Sequence, residues 1–262
     1  MSARHPIPPA IIRGRVYHKP KGKPYAYGSV ESAIVRARRR GYVGIDSDHR
    51  RSAQGTGHIA HQANPTRRDG WHDPSGNITD SDAFLNLTDA ELSRLRYQGE
   101  PMLTLREWLI LCKREGRIPC IEDKTFTGEP VEYWRSVKVM ADEIGVIPVI
   151  MSLPGSRSVP GTRKLKAAHD AGLVTMWLWR PGSKVPPFVD LVKSHAGRPI
   201  YRVSDRPVGT SPSPEPRPFP RTPPRRPVRR PWLRRTRRWK RRHPRLWRRI
   251  LTWRRNHPRS TR

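Results

Sequence analysis

Asp46 and Asp48 stand on either side of a serine at the end of a short apolar run, and Glu122 and Lys124 repeat that spacing at the end of another. Side chains alternate along an extended strand, so both members of each pair project to one side. Carboxylate oxygens without thiols suit a hard divalent cation, Mg²⁺ or Ca²⁺, better than zinc. His18 follows a third apolar run and Asp205 a fourth. Imidazole is the natural proton carrier near neutral pH, but the chain has ten histidines, so position must select among them. His18 ends a predicted strand. His61 ends the run 57–61, which can return as the second arm of a hairpin above the Asp46/Asp48 strand. His49, His58 and His72 read as surface or loop side chains.

The elements that must carry these residues alternate in type. Residues 11–17, 42–45, 118–121, 146–151, 174–179 and 200–203 are short, apolar and β-branched, as buried parallel strands are. Helices are predicted between them. Thr88 with Glu91 and Thr104 with Glu107 match the capping box, in which hydroxyl and carboxylate satisfy the first free N–H groups of a helix. Pro130 suits a first helical turn; Val131, Trp134, Val137 and Met140 then share an apolar face until Gly145 closes the helix. A further helix is predicted over 162–171, ending at Gly172. Alternation of this kind argues for a parallel α/β sheet or barrel. In a βα-barrel all strand C-termini open on one face, so six ionisable side chains from four strand ends would share one mouth.

At these residues the sequence resembles the glycerophosphodiester phosphodiesterase family, a TIM-like (β/α) barrel group. The family pattern is a first-strand H-R-G, an E-x-D strand, a hairpin returning to a histidine, an E-x-K strand and a final T-D-R-P. This chain carries YHKP at 17–20, IDSD at 45–48, GHIAH at 57–61, IEDK at 121–124 and SDRP at 204–207, with LTDAELSRLR at 87–96 and MLTLREWL at 102–109 in support. The resemblance implies a metal held by Asp46, Asp48 and Glu122, a phosphate steadied by Lys19 and Lys124, and an acid–base pair of His18 and His61. Trp177 or Trp179 would match the tryptophan that walls the family's substrate site, with core packing as the alternative reading, and Asp205 would stand at the mouth. The implied activity is hydrolysis or intramolecular transfer at a small glycerol-type phosphodiester, lipid- or teichoic-acid-derived. Three departures are visible: Asp46 replaces a glutamate, Lys19 replaces an arginine that would bind phosphate bidentately, and Gln62 stands where an aspartate usually follows the second histidine. Six strands are predicted where a complete barrel has eight.

Bulk properties set the rest. The net charge of +31 attracts anions without saying which. From Arg206 onward there are 21 Lys and Arg against one acid, Glu215, so this segment holds +20 of the total. The predicted organisation is a barrel over 1–206, a Pro/Arg-rich linker over 207–231 and an Arg/Trp-rich, disordered basic tail over 232–262. Trp232, Trp239, Trp247 and Trp253 punctuate the arginines, which fits an anionic membrane interface or a nucleic acid. Cys112 and Cys120 form neither a disulfide framework nor a zinc knuckle and read as buried thiols. The opening MSARHPIPPAIIRGR lacks an apolar core of the kind a secretory signal needs, and no stretch reaches the roughly 20 apolar residues of a transmembrane span. A cytoplasmic protein is the expectation.

Overall fold

A computed structural model describes residues 3–66, 68–125, 128–152, 161–179, 184–194 and 201–202, all within one compact unit, Met1–Thr210. The chain opens with α1 (Pro9–Arg13) and β1 (Val16–Tyr17), followed by α2 (Ala26–Ser29), α3 (Glu31–Arg39), β2 (Gly44–Arg51) and β3 (Gly57–Ile59). A loop region then carries α4 (Asp89–Leu92), β4 (Arg96–Tyr97) and β5 (Glu100–Pro101). The regular alternation resumes with α5 (Leu105–Arg114), β6 (Ile118–Asp123), α6 (Val131–Ile144), β7 (Val149–Ser152), α7 (Gly161–Asp170) and β8 (Val174–Trp179), and ends with β9 (Leu191–Ser194) and β10 (Tyr201–Arg202).

The main sheet runs β1-β2-β6-β7-β8-β9-β10, and every pairing from β1 to β9 is parallel. Strand order follows chain order and never reverses. That is the winding of a TIM-like barrel rather than of a doubly wound sheet, whose order turns back at a switch point. Six parallel strands are present, and among the described residues no pairing closes β1 onto the far edge.

Alternation along the strands divides the apolar residues between two faces. Val16, Cys120, Val149, Met151, Met176 and Leu178 pack together on the inner face. Ile45, Ile121, Ile150 and Trp177 point the other way, against Trp108, Trp134 and Leu165 of the helices. Both cysteines are buried, Cys112 in the helical layer and Cys120 inside the sheet. A separate cluster built on Trp71, Phe84, Leu92, Leu95 and Met102 supports the loop region after β3.

Local signals account for the helix ends. Thr88 and Thr104 each accept from the N3 amide while Glu91 and Glu107 accept from the cap amide, so both capping boxes are complete. Gly145 ends α6 at φ 73°, a left-handed conformation that glycine adopts without steric cost. Pro130 is the cap of α6 rather than its first helical residue.

The predicted strands need three corrections. The run 11–17 is not one strand: Pro9 starts a short helix that takes Ile11, and Gly14 breaks it before Val16. A Cβ at Gly14 would lie 2.2 Å from Val43, so the chain turns there at very close range. The parallel strand Leu191–Ser194 was not anticipated, because LVKS is short and half polar. Residues 201–202 pair antiparallel with it instead of forming the final parallel strand.

Candidate active site

The parallel register of β1 on β2 sets Tyr17 beside Ile45, so the next residue, His18, arrives beside Asp46. The His18 Nδ1 lies 2.6 Å from Asp46 Oδ2. On the other side of β2 the register sets Asp46 against Cys120 and Asp48 against Glu122. These residues share the parity of the inner-face strand residues, so the acids sit where that apolar core gives way to the mouth. The Lys124 ammonium stands 2.7 Å from Glu122 Oε1 and 3.3 Å from Asp48 Oδ1. Burial alone would lower the Lys124 pKa; the Asp48 and Glu122 carboxylates outweigh it and raise it. Desolvation pushes Asp48 well above the usual carboxylate range, against the pull of Lys124. The group stays reachable: the side chains of His18 and Asp46 are 43% and 26% exposed.

His61 reaches this mouth on a hairpin. β3 returns antiparallel to β2, with Ile59 opposite His49, and the Ala60 amide donates to the Asp48 carbonyl at 2.9 Å. The His61 ring lies on the Tyr25 ring, centroids 3.4 Å apart and planes within 8°. Burial, followed by the nearby charges of Lys124, Arg50 and Lys19, lowers its pKa to about 3. The Lys19 ammonium sits 4.1 Å from the Tyr25 ring centroid and donates to the Lys23 carbonyl. His18, Asp46, Asp48, Glu122, Lys124, Lys19 and His61 therefore belong to one end of the sheet.

Other predicted positions lie elsewhere. Trp177 is buried among the helices on the outer face, in the helix-facing core, and so does not wall the mouth. The side chain of Trp179 and all of Asp205 lie outside the described residues, as does the whole basic segment from residue 206. His58 is buried against Asp89 at 3.0 Å and His49 is fully buried, so neither is the surface or loop side chain expected. His72 is exposed and bridges to Arg96 in the loop region.

Residues beyond the sequence reading shape the site. Asp69, fully buried, accepts from the backbone N–H of His61 at 3.0 Å and of Gln62 at 2.8 Å. Arg50 Nε donates to the His61 carbonyl at 2.9 Å. Tyr25, in the loop after β1, is held by the Ala26 amide donating to the Asp69 carbonyl. No spacing signal marks Tyr25 or Asp69, because both act through loops whose path depends on the rest of the fold.

The fit of a divalent cation can be judged from the charges. Asp46, Asp48 and Glu122 bring three carboxyl groups to the mouth, the last two paired with the Lys124 ammonium and the first with His18, and Asp46 Oδ1 is buried with no hydrogen-bond partner. An oxygen-rich mouth of this kind, with one carboxylate oxygen left unpartnered, suits a hard cation. A second group lies behind the strands: His49, Asp123 and Glu129 have potential ligand atoms within 4.8 Å of one another, all buried. There Arg51 pairs with Glu129 at 2.7 Å, and the Asp123 carboxylate already accepts from the Thr125 amide and hydroxyl and from the Glu129 amide.

No family model matches this chain, and no curated protein matches it either. Several solved structures resemble it in fold. A phosphodiesterase from Oleispira antarctica in complex with the product sn-glycerol-3-phosphate is 16% identical with a TM-score of 0.46, covering 64% of this chain and 66% of that one. A Silicibacter pomeroyi protein described as a putative glycerophosphoryl diester phosphodiesterase is 13% identical with a TM-score of 0.43, covering 68% and 85%. The glycerophosphodiester phosphodiesterase of Agrobacterium tumefaciens is 16% identical with a TM-score of 0.39, covering 65% and 90%. Fold likeness at this distance does not carry chemistry, which has to be argued from the side chains. Among the described residues no helix is long and apolar enough to cross a membrane.

Proposed function

We propose that this chain is a metal-dependent phosphoric diester hydrolase acting on small glycerophosphodiester-type substrates, lipid- or teichoic-acid-derived. The observation that carries the reading is the convergence of His18, from the first strand, and His61, from the hairpin, on one mouth lined by Asp46, Asp48, Glu122 and Lys124. Asp46, Asp48 and Glu122 would hold Mg²⁺ or Ca²⁺, which when bound offsets the charge that grows on the phosphoryl oxygens. Lys124 and Lys19 add cationic charge beside the same oxygens and favour the transition state over the ground state. Against the Asp46 carboxylate, the His18 Nδ1 is the donor, which leaves Nε2 with a lone pair to accept the proton of the attacking hydroxyl or water. His61 serves the leaving alcohol.

The test is release of glycerol phosphate from a panel of glycerophosphodiesters by the full chain, with Mg²⁺ or Ca²⁺ and with EDTA. Turnover that requires the metal and is abolished by His18→Ala supports the reading, and turnover indifferent to both overturns it.

A second reading is favoured by the charge of the segment after residue 205, +20 of the total +31: a basic anion-binding protein in which the barrel carries the tail to a membrane or nucleic acid. Deleting 206–262 separates the two. A hydrolase keeps its activity on a small soluble diester, whereas a binder loses retention on anionic liposomes or single-stranded DNA.

A further inference from the structure

We propose that Gln62 and Asp69 are positioning residues that hold His61 as a neutral imidazole with its proton on Nε2, so that His61 gives this proton to the leaving alkoxide. The inference rests on the phosphodiesterase reading above and assigns the two histidines opposite tautomers.

The first observation is a hydrogen bond. Gln62 Nε2 lies 2.7 Å from His61 Nδ1. With the amide nitrogen toward the ring, Gln62 donates and Nδ1 accepts, and in a neutral imidazole the proton then resides on Nε2. His18 is fixed the other way by the Asp46 carboxylate, which can only accept when ionised. A carboxylate at position 62 would impose on His61 the tautomer that His18 has. The amide imposes its opposite.

The second observation is how tightly the residue is held. Asp69 takes the backbone N–H groups of His61 and Gln62 together, Arg50 takes the His61 carbonyl, and Tyr25 stacks on the ring. Asp69 Oδ1 remains 4.0 Å from His61 Nδ1, too far for a hydrogen bond, so it does not compete with Gln62 for the ring nitrogen. The side chain of Gln62 therefore projects from a fixed backbone onto a fixed ring.

The third is the field around the ring. The groups facing it are the cations of Lys124, Arg50 and Lys19, the Asp69 carboxyl behind its backbone and the Tyr25 phenol against its face. Three cations oppose imidazolium and favour the loss of a proton from the neutral ring. In the step itself the P–O bond to the leaving group breaks with its electron pair on oxygen, and that oxygen takes the Nε2 proton. The N–H pair stays on the ring, and the resulting imidazolate recovers a proton from solvent.

The experiment has a spectroscopic and a kinetic arm, both on the full chain. Ring ¹⁵N NMR of His61 is expected to show the neutral Nε2–H form at pH 7, and Gln62→Glu is expected to move the proton to Nδ1. In kinetics, Gln62→Glu and Gln62→Ala should lower kcat on an alkyl glycerophosphodiester by about tenfold or more, with KM changed less than about twofold. On a p-nitrophenyl phosphodiester, whose phenolate leaves without a proton, the same variants should match the parent. Asp69→Asn, which loosens the backbone clamp, should follow the same pattern. An Nδ1–H or imidazolium form in the parent at pH 7, or equal slowing on both esters, overturns the proposal. If the parent turns over neither ester, the phosphodiesterase reading fails, while the NMR arm still decides whether Gln62 sets the tautomer.

Discussion

His18 and Asp46 come from adjacent parallel strands and meet at 2.6 Å, imidazole Nδ1 against carboxylate Oδ2, because the register of β1 on β2 sets Tyr17 beside Ile45. The contact orients the ring without burying it. His18→Ala is therefore expected to lower kcat on a glycerophosphodiester by about 10²- to 10⁴-fold, the usual worth of a positioned acid or base. The thermal midpoint should hardly move, since no core contact is lost. Steady-state kinetics beside a melting curve would check both halves, and a kcat equal to that of the parent would remove His18 from the mechanism.

Metal content offers a second check that does not depend on turnover. Asp46→Asn and Glu122→Gln each remove a negative charge from the mouth and should abolish the binding of Mg²⁺ or Ca²⁺ measured by equilibrium dialysis. His49→Gln, behind the strands, should leave the bound metal unchanged. The reverse result would move the cation to the group formed by His49, Asp123 and Glu129.

Asp69 links the site to stability through pH. Burial raises its pKa to about 6, although the backbone N–H groups of Gln62 and His61 pull the other way. Its unfolded reference is 3.8, so between these values the native state holds a proton that the unfolded chain has released. The stability contributed by the neutral form is full below about pH 4 and is lost as pH rises through about 6, a change on the order of 2–3 kcal/mol. Denaturant titrations across pH 4–7 should show the parent losing stability relative to Asp69→Asn as pH rises. Parallel curves would mean that Asp69 is ionised in the folded protein throughout.

Gly57 begins the hairpin strand under unusual crowding. A Cβ there would lie 2.4 Å from Tyr133 Oη and 2.9 Å from His49 Nε2, two atoms that are themselves hydrogen-bonded at 2.5 Å. Gly57→Ala should destabilise the protein by roughly 1–3 kcal/mol, the ordinary cost of overpacking. Adding Tyr133→Phe removes the closest atom and should recover part of that loss in denaturant titrations. Full stability in the single variant would contradict the crowding.

Much of this architecture was legible in the sequence because its signals are local. Capping boxes at Thr88 and Thr104 and the glycine after α6 mark helix ends through contacts spanning only a few residues. The D-x-D and E-x-K spacings place side chains on one face through strand periodicity alone. Other features depend on packing that periodicity cannot express. Ile11 looks like strand by composition yet enters a helix begun by Pro9, and Trp177 shares β8 with inner-face residues but has the opposite parity. His49 and Asp123 follow the acids by one position and so fall behind the sheet, where they join a buried polar group instead of the mouth. Asp69 and Tyr25 escaped notice because a loop's path is not written in a local pattern.

The strict parity of β2 has a consequence for how this protein can vary. Gly44, Asp46 and Asp48 serve one side of the strand while Ile45, Ser47 and His49 serve the other, all within one unbroken ladder to β6. Inserting or deleting a single residue between Gly44 and Asp48 would exchange the two sets, sending carboxylates into the helical layer and isoleucine into the mouth. Point substitutions along this segment are graded in their harm, whereas a change in its length is all-or-none.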